Sequence, residues 1–206
     1  MRVAAIVLAA GSASRFGSPK ALARLDGRPL LEHVVDAVRT AGIEEVVVVL
    51  GHAADEIEDG IDWLIERRVR NPDPRHISSS LQVGLAAIGE IEPPVKAVLV
   101  VLGDQPRVRP EVIRSLISAA RSCEEPIVIP RYADGGGSNP ILIRADAFDL
   151  ADEATGDRGL GPLLEAQPEL VHEVAVSGSN PDIDTPEDLA ALEAAIERER
   201  DLEGAR

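Results

Sequence analysis

A continuous apolar run, Val3-Ala4-Ala5-Ile6-Val7-Leu8, opens directly into a loop, Ala9-Ala10-Gly11-Ser12-Ala13-Ser14-Arg15-Phe16-Gly17-Ser18-Pro19-Lys20. An unbroken apolar stretch bounded by a glycine turn predicts a strand buried on both faces of a parallel sheet. In the loop, Gly11 and Gly17 let backbone N–H groups turn toward an anion, and Arg15 and Lys20 add positive charge from its flanks. The segment reads as a cradle for phosphate.

The spacing rules out two familiar cradles. A P-loop places Lys and then Ser or Thr directly after its last glycine, whereas Gly17 is followed by Ser18-Pro19-Lys20-Ala21. A dinucleotide fingerprint needs G-x-G-x-x-G, which Gly11 to Gly17 does not supply.

Further strand-like runs fall at Val46 to Leu50, Ala97 to Leu102, Ile127 to Ile129, Ile141 to Ile143 and Val171 to Val176, separated by segments of helical periodicity. That alternation predicts a layered α/β fold with a largely parallel sheet. Leu30, Leu31, Val34, Val35 and Val38 form one helical face, Leu81, Leu85 and Ile88 a second, and Val112, Ile113, Leu116 and Ile117 a third. Thr185-Pro186-Glu187-Asp188 predicts a helix start with Thr185 as N-cap, and the mixed-charge end from Glu197 is expected to fray.

The 206 residues read as one domain, 1–206, and with only four Phe, Trp and Tyr residues the core must be aliphatic. A net charge of −15 argues against nucleic acid or an anionic membrane as partner, so attraction for an anionic ligand must be local. Arg67-Arg68-Val69-Arg70, the densest basic run, reads as a strand edge or solvated surface. The single Cys123 cannot pair internally, no Cys/His cluster has zinc spacing, and no apolar stretch is long enough to span a bilayer. A cytoplasmic protein is expected.

The loop LAAGSASRFGSPKAL resembles the signature of the MobA-like nucleotidyltransferases, and within them the molybdenum-cofactor cytidylyltransferase branch. The resemblance continues through Gly27-Arg28-Pro29-Leu30-Leu31, Ser78-Ser79-Ser80-Leu81, Leu102-Gly103-Asp104-Gln105-Pro106, Gly156-Asp157-Arg158-Gly159 and Asp182-Ile183-Asp184-Thr185-Pro186. It implies a three-layer, Rossmann-like, GT-A-like nucleotidyltransferase fold. It also implies a Mg²⁺-dependent transfer of CMP from CTP to a phosphorylated acceptor, molybdopterin cofactor, with release of pyrophosphate. A molybdoenzyme or its chaperone is the implied protein partner.

Asp104 follows an apolar strand and one glycine, which places a carboxylate at the C-terminal rim where open α/β sheets bind ligands. Mg²⁺ takes oxygen ligands and needs only one or two protein carboxylates. The resemblance gives Asp184 as the second ligand, with Asp182 as competitor. It places the nucleotide on Leu8, Ala9, Ala10, Gly11, Ser12, Ser80 and Gly103, with Arg15 and Lys20 on the triphosphate and the leaving pyrophosphate. Ala9-Ala10-Gly11 falls on the cytidylyl side of the family. One departure is Arg75-His76-Ile77 ahead of the serine cluster, where relatives carry a glycine.

A phosphate-monoester acceptor is already ionised near neutral pH, so none of His33, His52, His76 or His172 is needed as a base. Asn139-Pro140 and the Gly156 to Gly159 segment, with Arg158, resemble segments that line the acceptor. Other readings are transfer to a sugar phosphate or another metabolite, and a non-catalytic nucleotide- or cofactor-binding delivery module. An esterase is weaker, because the chain has no G-x-S-x-G elbow.

Overall fold

The computed structural model describes residues 1–11, 16–135, 137–150, 154 and 156–204. Seven strands form one sheet: β1 (Val3–Ala9), β4 (Glu45–Leu50), β5 (Arg67–Arg70), β6 (Ala97–Leu102), β7 (Ile127–Tyr132), β8 (Ile141–Arg144) and β9 (Val171–Val176). Their order is β5-β4-β1-β6-β8-β7-β9, and β2 (Arg24–Leu25) pairs with β3 (Arg28–Pro29) in a separate ribbon. All neighbours in the large sheet run parallel except β8, which is antiparallel to both β6 and β7. The mostly parallel α/β sheet expected from the sequence is present, with β1 between β4 and the central strand β6.

Alternation along the central strands sorts side chains between two apolar layers. Ala5 and Val7 of β1, with Val46, Val48, Leu99 and Val101, meet helices α1 (Leu30–Thr40) and α4 (Pro110–Ala119). Ala4, Ile6 and Leu8, with Val47, Val49, Val98 and Val100, meet α3 (Ile77–Gly89) on the other face. Two shorter helices, α2 (Ala54–Gly60) and α5 (Gly161–Ala166), lie at the margins. The result is three layers with the aliphatic core the composition demanded. Among the described residues no helix is long and apolar enough to cross a membrane.

The last helix, α6 (Pro186–Gly204), corrects the expectation of a frayed end. Its start follows the sequence: Thr185 Oγ1 accepts the Asp188 N–H at 3.1 Å and Asp188 Oδ2 accepts the Thr185 N–H at 2.8 Å, a reciprocal cap. It is helical to Gly204, and there Glu199 pairs with Arg107 through two 3.0 Å bonds and Arg200 pairs with Asp26, exposed pairs that each add little. The basic run Arg67–Arg70 is the outer strand of the sheet, as expected.

Tyr132 closes β7, where its hydroxyl donates to the Asn139 carbonyl at 3.1 Å. Burial pushes this phenol up to about 12, against a smaller pull downward from Arg109. Between about pH 10, the ordinary tyrosine value, and 12 the unfolded chain releases this proton while the folded chain keeps it. The unfolded state then binds fewer protons, so stability falls as pH rises through that window. Tyr132 is the only tyrosine. Ultraviolet absorbance of the phenolate should therefore give a native midpoint well above 10, and Tyr132→Phe should flatten the alkaline stability slope. A midpoint at the ordinary value would refute the burial argument.

Candidate active site

The chain leaves β1 toward Gly11 at the C-terminal rim, and Gly103 leaves β6 beside it. The Gly103 N–H donates to the Leu8 carbonyl at 2.9 Å, and a Cβ on Gly103 would lie 3.1 Å from that oxygen. A side chain there would ask its neighbours to give by a few tenths of an ångström, so glycine eases the close approach of the two strand ends. The contact delivers Asp104 to the mouth of the loop.

Lys20 reaches across from the far end of the loop. Its Nζ donates to Asp104 Oδ2 at 2.6 Å and to Asp184 Oδ1 at 2.9 Å, so one ammonium bridges two carboxylates. Burial draws the Lys20 pKa down, but Asp104 and then Asp184 outweigh it and hold the group above the ordinary lysine value. It is a fixed positive charge at neutral pH. Asp104 Oδ1 is buried and has no hydrogen-bond partner among the described residues.

Asp184 is available for this pairing because Thr185 and Asp188 cap α6 between them. Asp182, the competing candidate, turns elsewhere: its Oδ1 accepts from Gln105 Nε2 at 2.8 Å. Burial raises the Asp182 pKa, the Gln105 bond opposes that shift, and the nearby Asp104 and Asp184 charges add to it. Gln105 is almost wholly buried and its Oε1 accepts from Asn180 Nδ2 at 3.0 Å. With the Ile183 N–H donating to the Asp104 carbonyl at 3.1 Å, these bonds lock segment 180–184 onto the Asp104 turn. Sequence reasoning missed the roles of Gln105 and Asn180. The only signal was an amide directly after a rim carboxylate.

A cavity of about 420 Å³ lies over this rim, lined by Leu8, Ala9, Gly11, Lys20, Gly103 and Asp104. His52 and Glu56 also line it, on the side of β4. Gly17 adopts a left-handed backbone (φ 69°), in keeping with its expected turning role. Ala10 is buried under the loop and does not line the cavity. Ser12 and Arg15, expected at the nucleotide, lie outside the described residues.

Ser80 differs from its expected place. Its side chain is buried, its hydroxyl accepts from Asn71 Nδ2 at 3.0 Å, and it lines neither large cavity. Helix geometry explains this, since Ser80, Gly84 and Ile88 recur at one-turn spacing on the stripe of α3 that faces the sheet. The helix begins at Ile77 with His76 extended before it, so the Arg75-His76-Ile77 segment enters the helix without a glycine.

A second cavity, about 710 Å³, shares Leu8 and extends over β6, β8 and β7. Leu102, Ile129 and Ile141 form its floor, and Ile77, Asn139 and Arg158 stand on its walls. Arg158 is ion-paired with Glu165, another wall residue. Of the other histidines, His33 contacts the Leu25 carbonyl at 2.8 Å and His76 pairs with Asp157 at 3.1 Å, both away from Asp104.

This geometry has close relatives. Rv0371c from Mycobacterium tuberculosis H37Rv is 30% identical, and its crystal structure superposes with a TM-score of 0.82 over 94% of this chain and 98% of that one. A second crystal structure of Rv0371c, in complex with manganese, superposes at 0.80. A nucleotidyl transferase from Methanothermobacter thermautotroptrophicus is 28% identical, with a TM-score of 0.77 over 96% of this chain and 98% of its own. The bifunctional protein GlmU of Sorangium cellulosum is 36% identical over 149 residues, 67% of this chain. The chain spans about a third of the length of such curated relatives, 31% in this case. The MobA-like NTP transferase domain matches residues 5–174, a stretch that runs from the β1 strand through the phosphate loop and Asp104 to β9. The chain belongs to the MobA-like NTP transferase family.

Proposed function

We propose that the chain transfers CMP from CTP to the phosphate of a molybdopterin-type acceptor and releases pyrophosphate. The observation that carries this reading is the Lys20 ammonium held between Asp104 and Asp184 at the mouth of a phosphate loop. The choice of CTP rests on Ala9-Ala10-Gly11, which resembles the cytidylyl enzymes.

The rim suits a hard divalent cation, Mg²⁺ in our reading. Asp104 and Asp184 are brought side by side on Lys20 Nζ, and the other Asp104 oxygen, Oδ1, is buried without a partner among the described residues. Asp104 and Asp184 would hold the ion, and the manganese complex of Rv0371c supports a divalent cation in this family. When bound, the ion supplies positive charge that polarises the phosphates and stabilises the pyrophosphate as it leaves.

The chain's own groups do the positioning. Gly11 and Lys20, which line the nucleotide cavity, would meet the nucleotide there, with Lys20 on the triphosphate and Arg15 as its expected second cation. Lys20 acts as a charge and not as a base, because its neighbours hold its proton in place. An ionised oxygen of the acceptor phosphate attacks the α-phosphorus, and the α–β bridging P–O bond breaks with its electron pair leaving on pyrophosphate. No proton has to move. The acceptor body occupies the larger cavity, whose contact with the nucleotide cavity at Leu8 lets the two substrates meet.

Titration calorimetry of CTP, GTP, ATP and UTP with Mg²⁺ tests the nucleotide. Selective CTP binding supports the cytidylyl reading, and selectivity for another base refutes it. Formation of a CMP adduct from labelled CTP and molybdopterin tests the acceptor. Lys20→Ala should weaken triphosphate binding by roughly 10- to 100-fold, as expected for a lost charge-assisted hydrogen bond, and CMP binding by no more than a few-fold. Equal losses on both would move Lys20 away from the leaving group.

A further inference from the structure

Opposite the nucleotide rim, at the N-terminal ends of β7 and β9, the fold assembles a second set of ligand atoms. Cys123 Sγ, a Glu125 carboxylate oxygen and a His172 ring nitrogen all lie within 4.8 Å of one another. Among the described residues this is the one group of three such side chains within mutual reach. Cys123 follows the end of α4, where its N–H still donates to the Ala119 carbonyl at 2.9 Å, and Glu125 stands two residues on. His172 comes from the outer strand, brought there by the parallel register that sets it opposite Val128.

We propose that Cys123, Glu125 and His172 form a binding site for a zinc-class divalent ion, distinct from the Asp104 centre, that clips the turn after α4 to the edge strand β9. The donor set decides the class of ion. One thiolate, one imidazole and one carboxylate suit Zn²⁺ or Co²⁺, whereas Mg²⁺ asks for oxygen throughout. The spacing fits as well. Ligand atoms around a tetrahedral zinc stand roughly 3.5 Å apart, and His172 Nδ1 is already 3.6 Å from Glu125 Oε2. That separation is too long for a good hydrogen bond. All three residues are half-buried, which leaves a path for the ion and a water as fourth ligand.

The test uses the full chain without an affinity tag, stripped of metal and titrated with Co²⁺ alone. Cys123 is the only cysteine, so any sulfur-to-cobalt charge-transfer band in the near ultraviolet reports this site and no other. The band should saturate at one Co²⁺ per chain, be bleached by Zn²⁺, and persist in Asp104→Asn. It should vanish in Cys123→Ser. In His172→Gln and in Glu125→Gln the binding midpoint should shift by roughly tenfold or more, given that even outer-sphere partners of a metal ligand cost 10- to 100-fold. Absence of the band in the unaltered chain would overturn the proposal, as would an unchanged midpoint in either of these two variants. Because the band involves no nucleotide, its presence or absence is independent of the transferase reading.

Discussion

Asp104→Asn is expected to lower metal-dependent turnover about a thousandfold or more while the chain stays folded. The substitution keeps the side chain's shape and removes the charge that aligns Lys20 and, in the proposed mechanism, holds the cation. A metal ion contributes several kcal/mol at a phosphoryl centre, and each ~1.4 kcal/mol is a factor of ten in rate. Single-turnover pyrophosphate release reads the loss directly. Mn²⁺ titration followed by paramagnetic resonance reads it without any acceptor, and circular dichroism with a thermal melt checks the fold. Turnover within tenfold of the unaltered chain, or unchanged Mn²⁺ affinity, would remove Asp104 from the metal role.

The second large effect concerns stability. Gly51, just after β4, has no room for a side chain: a Cβ there would lie 2.4 Å from the Ala10 carbonyl oxygen, 2.8 Å from Ala10 Cα and 2.7 Å from Pro74 Cβ. Two of those atoms are backbone just after the interior strand β1, so they cannot yield by rotating a side chain. Gly51→Ala should therefore cost about 1–3 kcal/mol, the usual range for overpacking. It should also weaken nucleotide binding, because relief requires Ala10, and with it the start of the phosphate loop, to move. Gly89→Ala, where a Cβ would meet nothing within 4 Å, is the control and should be close to neutral. Equal denaturation midpoints for the two variants would refute the packing argument.

Much of this architecture was legible because burial on both faces writes unbroken apolar runs into the sequence. Val3 to Leu8, Val46 to Leu50 and Ala97 to Leu102 became adjacent parallel strands. The direction of Ile141–Arg144 was not legible, since an apolar run has no polarity and only the turn before it sets which way it runs. At the site, Lys20, Asp104 and Asp184 were each readable from the local motif that carries them. Their mutual contacts and the Gln105, Asn180 and Asp182 bonds were not, because hydrogen bonds between distant segments leave no periodic trace. Ser80 was misplaced for the same reason: its partner Asn71 belongs to a different element and carries no signal of its own.

The reversed strand β8 has a consequence for how such a domain can diversify. In a wholly parallel sheet every strand that reaches the rim must return through a crossover, which ties the rim to the packing of the layers. Here β7 ends at the rim and β8 starts back from it without a crossover, and Ser138 and Asn139 between them reach the wall of the larger cavity. The Asn139 carbonyl in that stretch accepts from the Tyr132 hydroxyl at 3.1 Å and from Asn180 Nδ2 at 3.4 Å. A change at Asn139 therefore leaves the paired strands in register yet reaches the Asp104 turn through Asn180, so the larger cavity and the candidate rim are coupled parts of one structure.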